Sequence, residues 1–217
     1  MVLFVLAAAG CSKGYPEYGP EASPYYGSNE AKAVTILATL KQDASGSVYL
    51  WSQGERLNLD PAPQFTRQQR VVANVTIYPT SDGDHDAAVN WMEPIDEGIL
   101  TSDASAPGTD PLDVNLESWM TGVDDGYLTL DYSAWWGEHP VHHDFRLVSG
   151  LDPSDPYCLE LRHDANGDER QEFAEGVICF DINSLPDTGD ESRQITIKWK
   201  NTEGKTTQAK FEFASRK

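Results

Sequence analysis

The stretch Asp164-Ala-Asn-Gly-Asp168, with Glu172 and Glu175 downstream, matches positions 1, 3, 5, 9 and 12 of a calcium-binding loop. Such a cation needs several oxygens around it, and this stretch supplies them. Position 6 of that loop calls for glycine at its sharp turn, and here it is Glu169. The flanking segments alternate like strands, where a calcium loop of this type has helices. A polar loop joining two strands therefore accounts for these residues better. The calcium set Asp164, Asn166, Asp168 and Glu175 is the weaker reading. His139-x-x-His142-His143 offers imidazoles, the donors of a zinc site. Neighbouring strand residues point to opposite faces, so His142 and His143 cannot both face one ion. Asp82-Gly-Asp-His-Asp86 reads as a solvated acidic turn. No metal or other cofactor is expected.

Nucleophilic catalysis finds no support. The chain has no Gly-x-Ser-x-Gly elbow and no glycine-rich phosphate loop before a helix. An acidic cleft could still serve an envelope hydrolase, but no carboxylate pair is marked, and no catalytic residue is assigned. Trp135-Trp136 is a different feature. On a strand one ring enters the core and its neighbour faces out. An outward Trp can stack on a sugar ring, as in carbohydrate-binding modules, or lie under the next loop.

These residues need elements to position them. Tyr157, Leu159 and Leu161 alternate with Cys158, Glu160 and Arg162. Ile178, Phe180 and Ile182 alternate with Val177, Cys179 and Asp181. Each segment reads as a strand with one buried face. Asn166-Gly167 supplies turn chemistry between them, so the pair reads as a hairpin. In that hairpin Cys158 and Cys179 fall opposite or nearly so. Directly opposed residues lie about 4.5–5.5 Å apart at Cα, within reach of a disulfide. Such a bridge would contribute roughly 3 kcal/mol. A register slip of one residue would leave two free thiols instead, and both outcomes stay open.

Upstream, residues 33–40, 48–51, 56–59, 70–78 and 87–92 form five short strand candidates. They fit a small OB-type barrel over residues 31–100. Residues 101–111, rich in Ser, Asp and Pro, break the pattern and put the domain boundary just before them, near Ile99. Seven strand candidates follow over residues 101–217, at the spacing of an immunoglobulin-like β-sandwich. The fold class is therefore all-β, and no helix has both start and stop signals.

Sixteen Lys and Arg stand against 35 Asp and Glu, a net charge of −19. So acidic a surface repels phosphate backbones and argues against nucleic-acid binding. Met1-Val-Leu-Phe-Val-Leu-Ala-Ala-Ala-Gly10 is an uncharged apolar run that ends at Cys11. It reads as a secretory signal over residues 1–10. Ala8-Ala-Gly-Cys11 looks like a lipobox, with Cys11 as the acylated residue and the chain's tie to a membrane. Residues 11–30 carry Pro16, Pro20 and Pro24 and read as an extended tether. An outer-membrane lipoprotein is the expected address, facing the periplasm or the cell surface.

The ordered set of features resembles the NigD-like lipoproteins of Gram-negative anaerobes. It comprises the lipobox at Cys11, residues 33–40 and 71–78, His143-Asp-Phe-Arg-Leu-Val148, residues 159–168, and Gly176-Val-Ile-Cys-Phe-Asp-Ile182. The resemblance implies an N-terminal OB-like domain and a C-terminal β-sandwich. It also implies a place in the envelope, but no known reaction and no catalytic residues. Surface-exported lipoproteins of such bacteria tend to carry acids just after the acylated cysteine. Here Ser12-Lys-Gly-Tyr-Pro16 precedes the first acid, Glu17. The expected role is a non-enzymatic binding module whose partner is an envelope protein or a glycan.

Overall fold

Alternating small and branched apolar residues build the first unit. The computed structural model describes residues 31–78 and 85–216. Those up to Pro94 form one compact unit and those from Ile95 onward a second. The first holds β1 (Lys32–Gln42), β2 (Val48–Ser52), β3 (Glu55–Leu59), β4 (Gln69–Tyr78) and β5 (His85–Pro94). They close into a barrel in the order β1-β2-β3-β5-β4. Closure depends on β1, which pairs with both β2 and β4, so that Thr39 faces Trp51 on one side and Arg70 on the other. Opposite Asn74 and Val75 of β4 the register skips Asn90, an extra residue that bends β5 around the small radius. The turn Gln53-Gly54 has positive φ at both residues, the geometry that joins two strands tightly. Ile36, Ala38, Leu40, Leu50, Leu57, Val71, Ala73 and Val75 point inward and are buried.

The second unit is a sandwich of two five-stranded sheets. Its strands are β6 (Asp96–Glu97), β7 (Ile99–Thr101), β8 (Asp113–Val114), β9 (Gly122–Asp124) and β10 (Tyr127–Trp136). Then come β11 (Asp144–Val148), β12 (Cys158–Asp164), β13 (Glu172–Asp181), β14 (Arg193–Lys200) and β15 (Thr206–Phe213). One sheet runs β6-β13-β10-β8, with β9 also on β10; the other runs β15-β14-β12-β11-β7. Leu128, Leu130, Ile178 and Phe180 of the first pack with Leu147, Leu159, Ile195 and Phe213 of the second. The described residues contain no helix.

Three expectations need correction. The first is the hairpin. β12 pairs with β11 and β14, whereas β13 pairs with β10 and β6. The two arms lie in opposite sheets, and their apolar faces meet across the core. Alternation reports that a strand has a buried face, not which strand lies beside it. β13 also starts at Glu172, because it pairs with β10 as far as Trp136.

The second correction follows from the first. Cys158 and Cys179 do not bridge; both are buried free thiols. Cys158 faces Thr196 on β14, and Cys179 faces Thr129 on β10. The third concerns the boundary. It falls after Pro94 rather than near residue 100, because β6 pairs with β13 and β7 with β11. Nor do residues 101–111 hang free. Arg162 donates to the carbonyls of Ala104 and Ala106 at 2.9 and 2.6 Å, and the Asp110 N–H donates to the His163 carbonyl at 2.9 Å.

Candidate functional site

Inner-face parity carries two histidines to one end of the sandwich. His163 continues the inward series Leu159, Leu161 on β12, and His143 precedes Phe145 and Leu147 of β11. The connection between β12 and β13 turns at Asn166-Gly167, both at positive φ, and carries Asp168 back towards them. His143 Nε2 lies 3.2 Å from Asp168 Oδ2, and His163 Nε2 lies 2.9 Å from His143 Nδ1. The Asp168 carboxylate also accepts the N–H of Gly137 at 3.1 Å and of Glu169 at 2.9 Å. Gly137 suits this place, since a β-carbon there would press on the Asp168 carboxylate.

Aromatic rings wall the chain. Trp136 stacks on His143 at 3.8 Å and 2°, and Phe145 on His163 at 4.9 Å and 15°. The His143 side chain is 0% exposed and that of Asp168 4%, so no substrate reaches them. Burial lowers the His143 pKa against the pull of Asp168. Burial, with His143 beside it, takes His163 down to about 4. Burial alone would raise Asp168. The N–H of Gly137, His143 and the N–H of Glu169 together outweigh it and hold Asp168 below the usual carboxylate range. The arrangement is a buried hydrogen-bond chain with defined polarity. It can hold and shift protons but cannot touch a ligand.

The open surface lies on the other side of β10. Trp135 and Phe173 are directly opposed in register on β10 and β13. Their rings lie 5.2 Å apart and are 38% and 45% exposed. Ser133 and the exposed Glu175 form the next opposed pair. Leu116 and Trp119 are also exposed, in the connection between β8 and β9.

The structure separates most of the ligand sets read from the sequence. Asp168 is drawn onto His143, Glu175 stands on β13, and the Asp164 carboxylate accepts the Asn166 N–H at 2.9 Å. The Asn166 amide donates instead to the His142 carbonyl at 2.7 Å. The calcium set is therefore not assembled. His142 is exposed, 3.6 Å from Asp144, and does not join buried His143. Among the described residues no metal-binding group of three His, Cys, Asp or Glu forms. Cys11 and residues 82–84 lie outside the described residues. Sequence reading passed over His163 and Phe173. Parity along β12 marked the first as inward. The second fell outside the strand expected from residue 177.

The model of the NigD-like C-terminal beta sandwich domain matches residues 93–213, more than half of the chain. Among solved structures, a "putative toxin related protein" of Parabacteroides distasonis is 27% identical, with a TM-score of 0.68, covering 85% of this chain and 94% of its own. A NigD-like immunity protein of Bacteroides caccae is 20% identical at a TM-score of 0.59, covering 83% and 97%. A "putative lipoprotein" of Bacteroides fragilis is 14% identical at 0.61, covering 86% and 100%. The last two likenesses speak for the fold alone. No curated protein matches the sequence. The matched span covers all ten strands of the sandwich, β6 to β15, and with them both the buried histidine chain and the open aromatic pair, so the chain belongs to the NigD-like family.

Proposed function

We propose that this chain is a lipid-anchored, non-enzymatic binding module of the cell envelope, and that its contact face is the outer surface of β10 and β13 around Trp135 and Phe173. The opposed, exposed rings of those two residues carry the reading. Exposed aromatics on a sheet face offer apolar contact area at little entropic cost. A sugar ring presents a matching C–H face, and Ser133 and Glu175 beside the rings supply hydrogen-bonding groups for its hydroxyls. An envelope glycan is thus the favoured ligand, ahead of an envelope protein. The anchor rests on Cys11 in its lipobox setting, with a "putative lipoprotein" of like fold in support.

An acid-cleft hydrolase fits less well. A general acid needs a carboxyl raised towards neutrality. Asp43, Asp103, Asp144 and Asp152 are instead held low by hydrogen bonds, chiefly from Ser45, Ser105, Asn166 and Ser154. Asp168 is low as well.

The test is binding of wild type and of the Trp135→Ala/Phe173→Ala double variant to fractionated envelope polysaccharide, by calorimetry. Loss of binding in the folded double variant is expected. Undiminished binding would refute the assigned face. For the anchor, Cys11→Ser should move the protein out of the membrane fraction; retention there would refute acylation.

A further inference from the structure

We propose that the Asp168–His143–His163 chain is an acid-released latch that holds the ends of β10 and β13 in the geometry presented by Trp135 and Phe173. The latch's role in binding rests on the contact face proposed above; its mechanics do not. The chain fastens three segments. Asp168 grips the N–H of Gly137, the first residue after β10. The Gln171 N–H, just before β13, donates to the Trp136 carbonyl at 2.9 Å. His143 and His163 tie both to the opposite sheet.

Counting protons shows where the latch gives way. With both rings neutral, His143 Nε2–H donates to the carboxylate, and His143 Nδ1 accepts from His163 Nε2–H. His163 Nδ1 then carries a lone pair and makes no hydrogen bond. One proton from solvent can be absorbed. His143 becomes imidazolium between Asp168 and the face of Trp136, its Nδ1–H donates to His163 Nε2, and the His163 proton moves to Nδ1. The main chain of Asp110 and Pro111 favours the protonated form of His163. A second proton has no such place. Both rings would then carry N–H at both nitrogens, and two donors would face each other across 2.9 Å. The contact must open, and the Asp168 connection moves with it.

The charged groups around the pair do not relieve this. Asp110 is occupied by the Ala165 N–H at 2.9 Å and lies 3.4 Å from Arg170. Asp144 is taken by Asn166 and Arg146. His142 is exposed, and its influence on His143 runs against a charge there. Glu172, opposite Trp136 in register, is exposed.

Amide hydrogen exchange on the full chain, without ligand, tests the latch. Corrected for intrinsic rates, protection of Gly137, Glu169 and Gln171 should fall at least about tenfold between pH 7 and pH 4.5, the change that one pKa unit corresponds to. His163→Gln keeps a donor for His143 Nδ1 but cannot titrate, and should retain its protection at pH 4.5. Unchanged wild-type protection, or equal loss in the variant, would overturn the proposal. Should the variant not fold, wild-type imidazole resonances decide. Titration of His143 and His163 together with the opening amides supports the latch, and titration with the amides still protected refutes it. The Trp135→Ala/Phe173→Ala variant should open at the wild-type pH. If that variant also binds glycan as well as wild type, the contact face fails while the latch stands.

Discussion

The barrel is lined by aliphatic side chains, among them Leu40, Leu50, Leu57, Val71 and Ala73, whereas the sandwich also buries the rings of Tyr132, Phe145, Phe180, Trp199 and Phe213. Five strands closing on themselves leave a narrow interior that aliphatic side chains fill. Two sheets packed face to face stand about 10 Å apart and need large side chains to meet. The polar groups differ in the same way. The barrel buries the guanidinium of Arg70, whose Nη1 donates to Thr39 Oγ1 at 3.0 Å. The sandwich fills one end with His143 and His163, which titrate. The wider architecture thus has room for a group that can change state.

Truncating each core should give the largest effects. Phe180→Ala removes a fully buried ring from the centre of the sandwich and should cost about 3–5 kcal/mol. Leu50→Ala in the barrel should cost about 2–5 kcal/mol. Urea unfolding measures both. Equal, small losses would mean that neither interior is packed as described.

Acid should separate the two regions next. His163 titrates at about 4 in the folded chain, against an ordinary value of 6.5. A group whose folded pKa is depressed binds more protons when unfolded, so stability falls as pH falls. The contribution is intact above pH 6.5, declines between there and about 4, and is gone below. The span corresponds to about 3 kcal/mol. His143, shifted the same way, adds to it. His163→Gln should flatten the profile across that window.

A smaller effect, about 1–3 kcal/mol, is expected for Asp168→Ala, which strips the acceptor from the N–H groups of Gly137 and Glu169 and from His143. The loss should be greatest near neutrality and shrink in acid, as measured by urea unfolding at several pH values.

The two regions also differ in how far their sequence could be read. All five barrel strands were legible, because β1 to β2 to β3 pair in chain order across short turns such as Gln53-Gly54. In the sandwich, strand existence was legible but partnership was not. Leu159 and Phe180 alternate as they would in a hairpin, yet they face each other across two layers. Three pairings, β6–β13, β7–β11 and β12–β14, are parallel and join segments distant in the chain, which local spacing does not encode. The choice between a disulfide and two free thiols stayed open for the same reason. Of the site, one outward Trp was foreseen by parity. Its partner Phe173 was not, since β13 extends five residues before the alternation at Val177 begins. The proton chain was invisible because Asp168 reads equally well as a loop ligand until the fold aims it inward.

The smallest stability change belongs to the outer face of the sandwich, and it is the sharpest probe of what that face is for. Trp135 and Phe173 are a cross-strand pair in contact with solvent. Such a pair contributes about 0.2–1 kcal/mol relative to alanines. Trp135→Ala should therefore barely move the urea midpoint. It should also leave His143 and His163 in place, because the ring that stacks on His143 belongs to Trp136, on the opposite face of the strand. A residue that matters little to folding yet keeps a large aromatic ring in water is expected to act through contact with something else. If Trp135→Ala instead costs as much as Phe180→Ala, the ring is part of a core, and the comparison between a sealed inner face and an open outer one collapses. If stability holds and glycan binding falls, the same strand fastens the fold through Trp136 and meets its ligand through Trp135.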